Sequence, residues 1–290
     1  MTEPRLSIRE ILYPRAVAVF GASEDRDKFG GRIIYFLIKH GFSGQIVPIN
    51  PRRKEIRGYP AYASLTDAPP GVEVAILAVP SSQLLPALEQ CAAAGVGCCV
   101  IITTGFAEAD EAGAELQQRI LDIASPAGMR IVGPNCMGLI NPLAQLALCS
   151  SIVLDTERLL TGRIGLVSQS GALMVSLFDR AAGEGIGFSA CISLGNQSDL
   201  EICDFIEYFA EDPGTDAGAE DLLDERRAAV RDAVAALPER QRLALFLRYY
   251  ADLDYAAIAD ALGVRRGTVS ATLNHAHAAL REALQKEVVA

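Results

Sequence analysis

Ala16 to Phe20 is a run of five apolar residues stopped by Gly21, and an apolar pattern of helical period follows from Gly31. The stretch AVAVFGASEDRDKFGGRI therefore reads as buried strand, glycine turn and helix. In an open α/β sheet such a unit leaves unpaired backbone N–H groups at the carboxyl end of the strand, where an anion can sit at the helix N-terminus. A phosphate-bearing ligand is the implied guest. The spacing, G-A-S with Gly30 and Gly31 later, is not the compact G-x-G-x-x-G of dinucleotide sites, and a plain strand-to-helix turn is the alternative.

The pattern repeats along the chain. A short helix at 7–12 leads into the first strand, and a second strand, Gln45–Ile49, ends at Asn50-Pro51-Arg52-Arg53-Lys54. An NAD enzyme needs an acid near this point for the ribose hydroxyl, whereas cations suit a ribose phosphate, which NADP and coenzyme A both possess. A solvated basic turn is the other reading. Strands are expected at 72–79, closed by Pro80, at 98–103, before Gly105, and at 129–132, before GPNCMG. Helices are expected at 83–94, with Ser81 or Ser82 as cap, and at 109–125. Strands alternating with helices argue a Rossmann-like doubly wound parallel sheet whose ligand crevice lies at the carboxyl ends of the strands. The corners GAS, NPRR, VPSS, TTGF and GPNC all fall there.

With 26 basic and 36 acidic residues, a formal charge of -10, the chain as a whole is unsuited to non-specific nucleic-acid or anionic-membrane binding, although a local basic surface is compatible with it. No apolar run reaches membrane-spanning length and MTEPRLSIRE has no signal-peptide core, so a cytoplasmic protein without a membrane partner is expected. Cys91, Cys98, Cys99, Cys136, Cys149, Cys191 and Cys203 lack C-x-x-C spacing, which points to buried reduced thiols and no metal site.

VAVFGASEDRDKFGGRI, VPINPRRKEIRGYPAY, VAILAVPSS, VIITTGFAE and RIVGPNCMGLINP together resemble the CoA-binding domain of NDP-forming acyl-CoA synthetases, relatives of the succinyl-CoA ligase alpha subunit. The likeness implies that Gly21, Ala22 and Ser23 with Lys28 approach the phosphates of coenzyme A or an acyl-CoA. It implies that Asn50, Pro51, Arg52 and Arg53 frame the nucleotide end, that Val79, Pro80 and Ser81 line the adenine or pantetheine path, and that Thr104 and Asn135 belong to the same rim. Thr104 departs from the ligase subunit, which carries an acid there. Cys136 is expected to pack.

Beyond a connector at 143–162, QSGALMVSLFDRAAGEG and FSACISLGN, followed by SDLEICDFIEYFAEDPGT, resemble the start of the flavodoxin-like second domain of the same enzymes. By that likeness the turn Ser168, Gln169, Ser170 and Gly171 offers a helix N-terminus to phosphate. After Thr215 the composition turns to Ala, Asp, Glu and Arg with no strand pattern, so this α/β unit is truncated at two strand-helix pairs, and a half-sheet should leave an apolar edge that packs on the first domain, on a partner or poorly. Domains are accordingly expected at 1–142, 143–215 and 216–290.

The tail is all-α. Pro238 suits the first turn of a helix, Asp254 can cap a short helix from Tyr255, Gly263 makes a turn, and a long helix begins near Arg266 with Val269, Leu273, Ala276, Leu280 and Leu284 as its inward stripe. This is helix-turn-helix spacing, with a small bundle lacking any DNA role as the alternative. LPERQRLALFLRYYADLDYAAIADALGVRRGTVSATLNHAHAALREAL resembles the promoter-reading module of bacterial sigma factors. The likeness puts Arg265, Arg266, Thr268, Ser270 and Asn274 nearest to DNA, with RNA polymerase as a partner. Ser270, Thr272, His275 and His277 stand where the family spreads cations, so weak binding is expected.

Three functions follow. Ligase chemistry by the chain alone lacks its phosphoryl-carrier histidine, since His40, His275 and His277 lie outside that context, and would need a beta-type subunit for it and for the nucleotide-grasping domain. A CoA or acyl-CoA binding module joined to a DNA-binding module could serve transcription regulation. Alternatively the two parts have no functional dialogue and were joined by recombination or an error in the gene model.

Overall fold

The computed structural model describes residues 6–216, 233–249 and 253–287, with backbone alone at 249 and 281–287. Residues 6–216 form one compact unit and the later helices a second.

The first unit opens with α1 (Ile8–Leu12), whose Ser7 and Glu10 make a reciprocal capping box. β1 (Ala16–Phe20), β2 (Gln45–Ile49), β5 (Val74–Leu77), β6 (Cys98–Ile101) and β7 (Arg130–Val132) form a wholly parallel sheet in the order β2-β1-β5-β6-β7. Val17 faces Ile46 on one side and Val74 on the other. β1, β5 and β6 are buried along their whole length, which is why they read as continuous apolar runs without alternation. Helix α2 (Phe29–Lys39) covers one face, and α3 (Ser81–Ala93) with α4 (Glu111–Ala124) the other. The inner side of α2 presents Ile33, Ile34, Phe36 and Leu37, each at most 1% exposed. Burying side chains of this size stabilises by about 1.5–3 kcal/mol apiece. A small hairpin, β3 (Glu55–Ile56) and β4 (Tyr59–Pro60), turns through Arg57 and Gly58, whose φ of 52° and 82° suit the twist of a tight hairpin.

Residues 138–162 are more than a connector. They hold a hairpin, β8 (Gly138–Asn141) and β9 (Leu146–Cys149), that completes a second sheet with β10 (Thr161–Ser168) and β11 (Phe188–Ser193) in the order β10-β11-β8-β9. The unit expected to stop at two strands therefore has four, because the antiparallel hairpin supplies one flank. Helices α5 (Gly171–Gly183) and α6 (Ile202–Glu211) complete this layer. It packs on the first sheet's helices through one shared core containing Ile33, Leu139, Ile192 and Phe205. Arg130 and Asp199, both largely buried, bridge the two parts at 2.9 Å, and the same carboxylate accepts from the Ile131 N–H. The far flank stays open. That holds of the described residues: there the Asp216 N–H donates to the Arg163 carbonyl of β10, the Arg163 guanidinium lies 3.9 Å from the Asp216 carboxylate, and Ile164, Leu173 and Ile206 are about half exposed.

Helix α3 begins at Ser81, so neither Ser81 nor Ser82 caps it; Pro80, with φ preset at -57°, holds the cap position. Six cysteines are buried, while Cys203 on α6 is exposed, against expectation. Cys136 donates to the Ile101 carbonyl and burial pushes its thiol up to about 12, which suits packing.

The second unit holds α7 (Glu239–Tyr249), α8 (Tyr255–Leu262) and α9 (Arg266–Glu287). Asp254 caps α8 by accepting from the Ala256 and Ala257 N–H groups, and Gly263 ends it at φ 62°. Val269, Leu273 and Ala276 are buried against Ile258 and Ala244. The expected stripe position Leu284 lies outside the described side chains. Among the described residues no helix is long and apolar enough to cross a membrane, and no His, Cys, Asp or Glu cluster could hold a metal ion.

His40, at the end of α2, is 8% exposed, stacks on Phe36 and hydrogen-bonds through Nε2 to the Leu154 carbonyl. Burial, helped by Lys39, outweighs that bond and Asp155, and lowers its pKa below the usual value. The unfolded chain then binds the extra proton first, so stability rises with pH through about 6.5 and is lost as pH falls below it. Denaturant titrations at pH 7.5 and 5 should show the advantage of wild type over His40→Gln shrinking at the lower pH.

Candidate functional site

The strand order reverses between β1 and β5, where a doubly wound sheet opens a crevice at its carboxyl rim. A cavity of about 350 Å³ lies there. Its near wall is the turn after β1, with Gly21, Ala22, Ser23 and Lys28; Asn50 and Pro51 enter after β2, and Val79 after β5. The far wall is one face of α3.

Glycine makes the near wall possible. Gly21 has φ 73°, and a Cβ there would stand 2.2 Å from the Ala78 carbonyl oxygen; one on Gly30, in the first turn of α2, would stand 2.2 Å from the Gly21 oxygen. The helix start is thereby seated on the strand's end.

Side chains from three directions then tie up the loop's carbonyls. Asn50 Nδ2 donates to the Ala22 oxygen at 2.7 Å, while its Oδ1 accepts from the Arg52 N–H at 2.8 Å. Arg57, at the tip of the β3-β4 hairpin, donates its backbone N–H to the Glu24 carboxylate at 2.7 Å and Nη2 to the Glu24 carbonyl at 2.8 Å. Arg32 on α2 donates to the carbonyls of Arg26 at 3.1 Å and Asp27 at 3.2 Å, and to that of Ser150, just past β9, at 2.9 Å. The Ala22 and Ser23 N–H groups have no partner among the described residues. The carbonyls of Ala22, Glu24, Arg26 and Asp27 are taken while the two donors remain, which gives the loop the donor-rich character that suits an anion. Lys28, Arg52 and Arg53 add cations that pair with no carboxylate among the described residues.

A second polar cluster joins the two sheets further along the rim. Thr103 Oγ1 donates to the Val79 carbonyl at 2.7 Å, and the Asn135 N–H to the Thr103 carbonyl at 2.9 Å. Asn135, at φ 57°, donates Nδ2 to Asn196 Oδ1 at 3.3 Å. Asn196 in turn donates to Gln117 and to Glu108. Burial raises the Glu108 pKa, but the bonds from Asn196 and the Gly105 N–H prevail and hold the carboxyl below the usual range. The loop that lacks an acid at Thr104 thus carries one four residues on.

Of the sequence-derived residues, Gly21, Ala22, Ser23, Lys28, Asn50, Pro51 and Val79 border the cavity. Arg52 and Arg53 are exposed just beyond Pro51 and outside its lining; Pro80 and Ser81 yield their place to Ser82; Thr104 is exposed outside the lining, and Asn135 serves the second cluster. At the QSG turn Ser168 Oγ donates to the Ser170 carbonyl, Ser170 Oγ accepts from the Leu173 N–H, and the Gln169 carbonyl accepts from the Gly195 N–H. The Ser168 hydroxyl proton is committed, whereas Ser170 Oγ accepts and keeps its proton to give, so the turn and Gly171 can offer an anion that O–H as well as backbone amides. Arg265, Arg266, Thr268 and Asn274 are exposed around the start of α9, with Ser270 half-buried. Sequence reasoning missed the α3 face and the braces Arg32 and Arg57. Pro86 inside a helical pattern was a usable signal for the first, whereas the braces act across long sequence separations.

Residues 15–142 match the family described as the CoA binding domain, 161–230 the succinyl-CoA ligase like flavodoxin domain, and 227–280 sigma-70, region 4. The chain is 38% identical over 209 residues to acetate–CoA ligase [ADP-forming] I of Archaeoglobus fulgidus, covering 72% of this chain and 30% of that one. It is 38% identical over 217 residues to acetate–CoA ligase [ADP-forming] II subunit alpha of Pyrococcus furiosus, covering 74% and 46%. The solved dinucleotide forming acetyl-coenzyme A synthetase 1 of Ca. Korarchaeum cryptofilum, in complex with phosphate and ADP, superposes with a TM-score of 0.67 at 33% identity, over 81% of this chain and 50% of that one. The chain thus spans half or less of each relative's length.

Gly30→Ala should separate helix from strand end and destabilise by about 1–3 kcal/mol in urea titrations. Gly58→Ala, where an added Cβ meets nothing within 4 Å, bears only the positive-φ strain and should cost about 1–2 kcal/mol.

Proposed function

Because the α/β part of the chain carries CoA-binding and succinyl-CoA-ligase-like domains homologous to the alpha subunit of NDP-forming acetyl-CoA synthetases, we propose that its cavity binds coenzyme A or an acyl-CoA. The observation that carries this reading is the pair of unclaimed amides at Ala22 and Ser23, backed by Lys28, on the wall of a cavity of about 350 Å³. Phosphate oxygens would accept from those amides, and the ribose phosphate would meet Arg52 and Arg53. Thr104 and Asn135 would stand further along the rim, and the QSG turn would offer its amides to a phosphate on the second sheet.

Acyl-CoA synthesis through a phosphorylated intermediate needs a carrier nucleophile near that rim. His40 is sealed in the core and bonded to Leu154, and His275 and His277 lie on α9 of the other unit. The chain is accordingly read as the CoA-binding component of a ligase whose phosphoryl carrier and nucleotide site come from a partner polypeptide. Pro80 and Ser81 keep a role in this reading as the start of the helix that faces the ligand.

Calorimetry should show coenzyme A binding more tightly than dephospho-CoA, with the joint replacement of Arg52 and Arg53 by Ala abolishing the difference, about tenfold. Equal affinities for the two ligands in wild type remove the role given to the arginines, and a preference for NADP overturns the ligand.

A second reading concerns the helical unit alone. The capped α8, the left-handed Gly263 and the exposed Arg265, Arg266, Thr268 and Asn274 at the start of α9, with Ser270 beside them, suit a recognition helix in a major groove. We read this unit as a weak DNA binder; coupling to the CoA site is no part of the reading. Fluorescence anisotropy with promoter DNA at low salt should lose most of its amplitude with Arg266→Ala, and an unchanged titration counts against α9 as the reader.

A further inference from the structure

Residues 24–28, the outer half of the turn after β1, are all exposed, so apolar burial does not hold them in place. Polar side chains do. Arg26 lays its guanidinium 3.6 Å from the centroid of the Tyr35 ring on α2 and donates Nη2 to Asp155 Oδ2 at 2.7 Å. Lys39, one helical turn beyond Tyr35, donates to the other oxygen of the same carboxylate, which the Tyr35 hydroxyl also reaches, at 3.4 Å. Asp155 arrives from 129 residues away in sequence, on a turn that is itself anchored. Its N–H donates to the Ile152 carbonyl, the Leu154 side chain is fully buried, and the Leu154 carbonyl is hydrogen-bonded to His40 Nε2.

A lone exposed ion pair holds little, but here one carboxylate takes two cations and the guanidinium also stacks on a ring. The Arg26 carbonyl is held as well, by Arg32, so both ends of the residue are fixed. We propose that Asp155 is a positioning residue for the ligand turn: by keeping Arg26 flat on Tyr35 it holds residues 24–28, and with them the Ser23 amide and Lys28, in the geometry that receives a phosphate. This rests on the reading of the crevice as a CoA site and adds to it a residue of the second sheet's segment that touches no ligand. Electrostatics alone points the other way. Removing a carboxylate lessens the repulsion of a polyanion and frees Arg26 to attract it, so binding should tighten. A turn that must be held ready instead loses affinity in proportion to the time it spends out of place.

The test uses the full chain and calorimetry with coenzyme A. Asp155→Asn, which keeps the side chain's shape, should weaken binding about fivefold. Arg26→Gln should weaken it at least as much, and adding Asp155→Asn to Arg26→Gln should cost nothing further. Lys39→Gln removes the carboxylate's other cation but leaves Arg26 held, so it should bind within about twofold of wild type whatever stability urea titrations show it to lose. That variant separates placement of the turn from stability of the fold. Tighter or unchanged binding by Asp155→Asn, losses that multiply in the double variant, or a loss in Lys39→Gln equal to that in Asp155→Asn overturns the positioning role while the CoA reading stands. Failure of wild type to bind coenzyme A overturns both.

Discussion

Everything at the rim depends on how closely the first turn of α2 approaches the end of β1. Two backbones come together there with no side chain between them, because Gly21 and Gly30 leave the space that a Cβ would fill. That approach aims the N-terminus of a well-buried helix at the switch point of the sheet, where the field of the helix and the free amides of Ala22 and Ser23 add. The side chains of Asn50, Arg57 and Arg32 do not create these donors. They favour them, by removing competing acceptors from a loop that would otherwise turn carbonyls as readily as amides toward the crevice.

Much of this was legible beforehand, for definite reasons. Parallel strands buried on both faces announce themselves as apolar runs, so β1, β2, β5, β6 and β7 were found within a residue or two. The helical unit was legible through local signals: Pro238 before α7, the Asp254 cap and Gly263. The hairpin at 138–149 was lost because short antiparallel strands beside a connector have no period of their own, and their pairing with β11 is decided far away in sequence. The cap of α3 was misjudged because proline's fixed φ can start a helix without any side-chain oxygen.

The site was legible by half. Glycine, asparagine and valine corners near the strand ends lined the cavity, since strand ends dictate where a crevice opens. Arg52 and Arg53 stand just outside it, as long exposed side chains do when composition alone nominates them. The α3 face escaped notice because its members read as an ordinary amphipathic helix, and the bracing arginines because nothing local distinguishes a solvated guanidinium from one that gathers three carbonyls.

That gathering also sets a minimum size for the working unit. One arm of Arg32 grips the backbone at Ser150, so the crevice of the first sheet borrows its rigidity from the first strands of the second. A gene trimmed back to the end of the parallel sheet would still encode every corner of the rim, but the loop after β1 would be unlatched on one side. Keeping the chain as far as Asp216 preserves that latch and the core that anchors it, so a partly built domain can persist as the buttress of its neighbour.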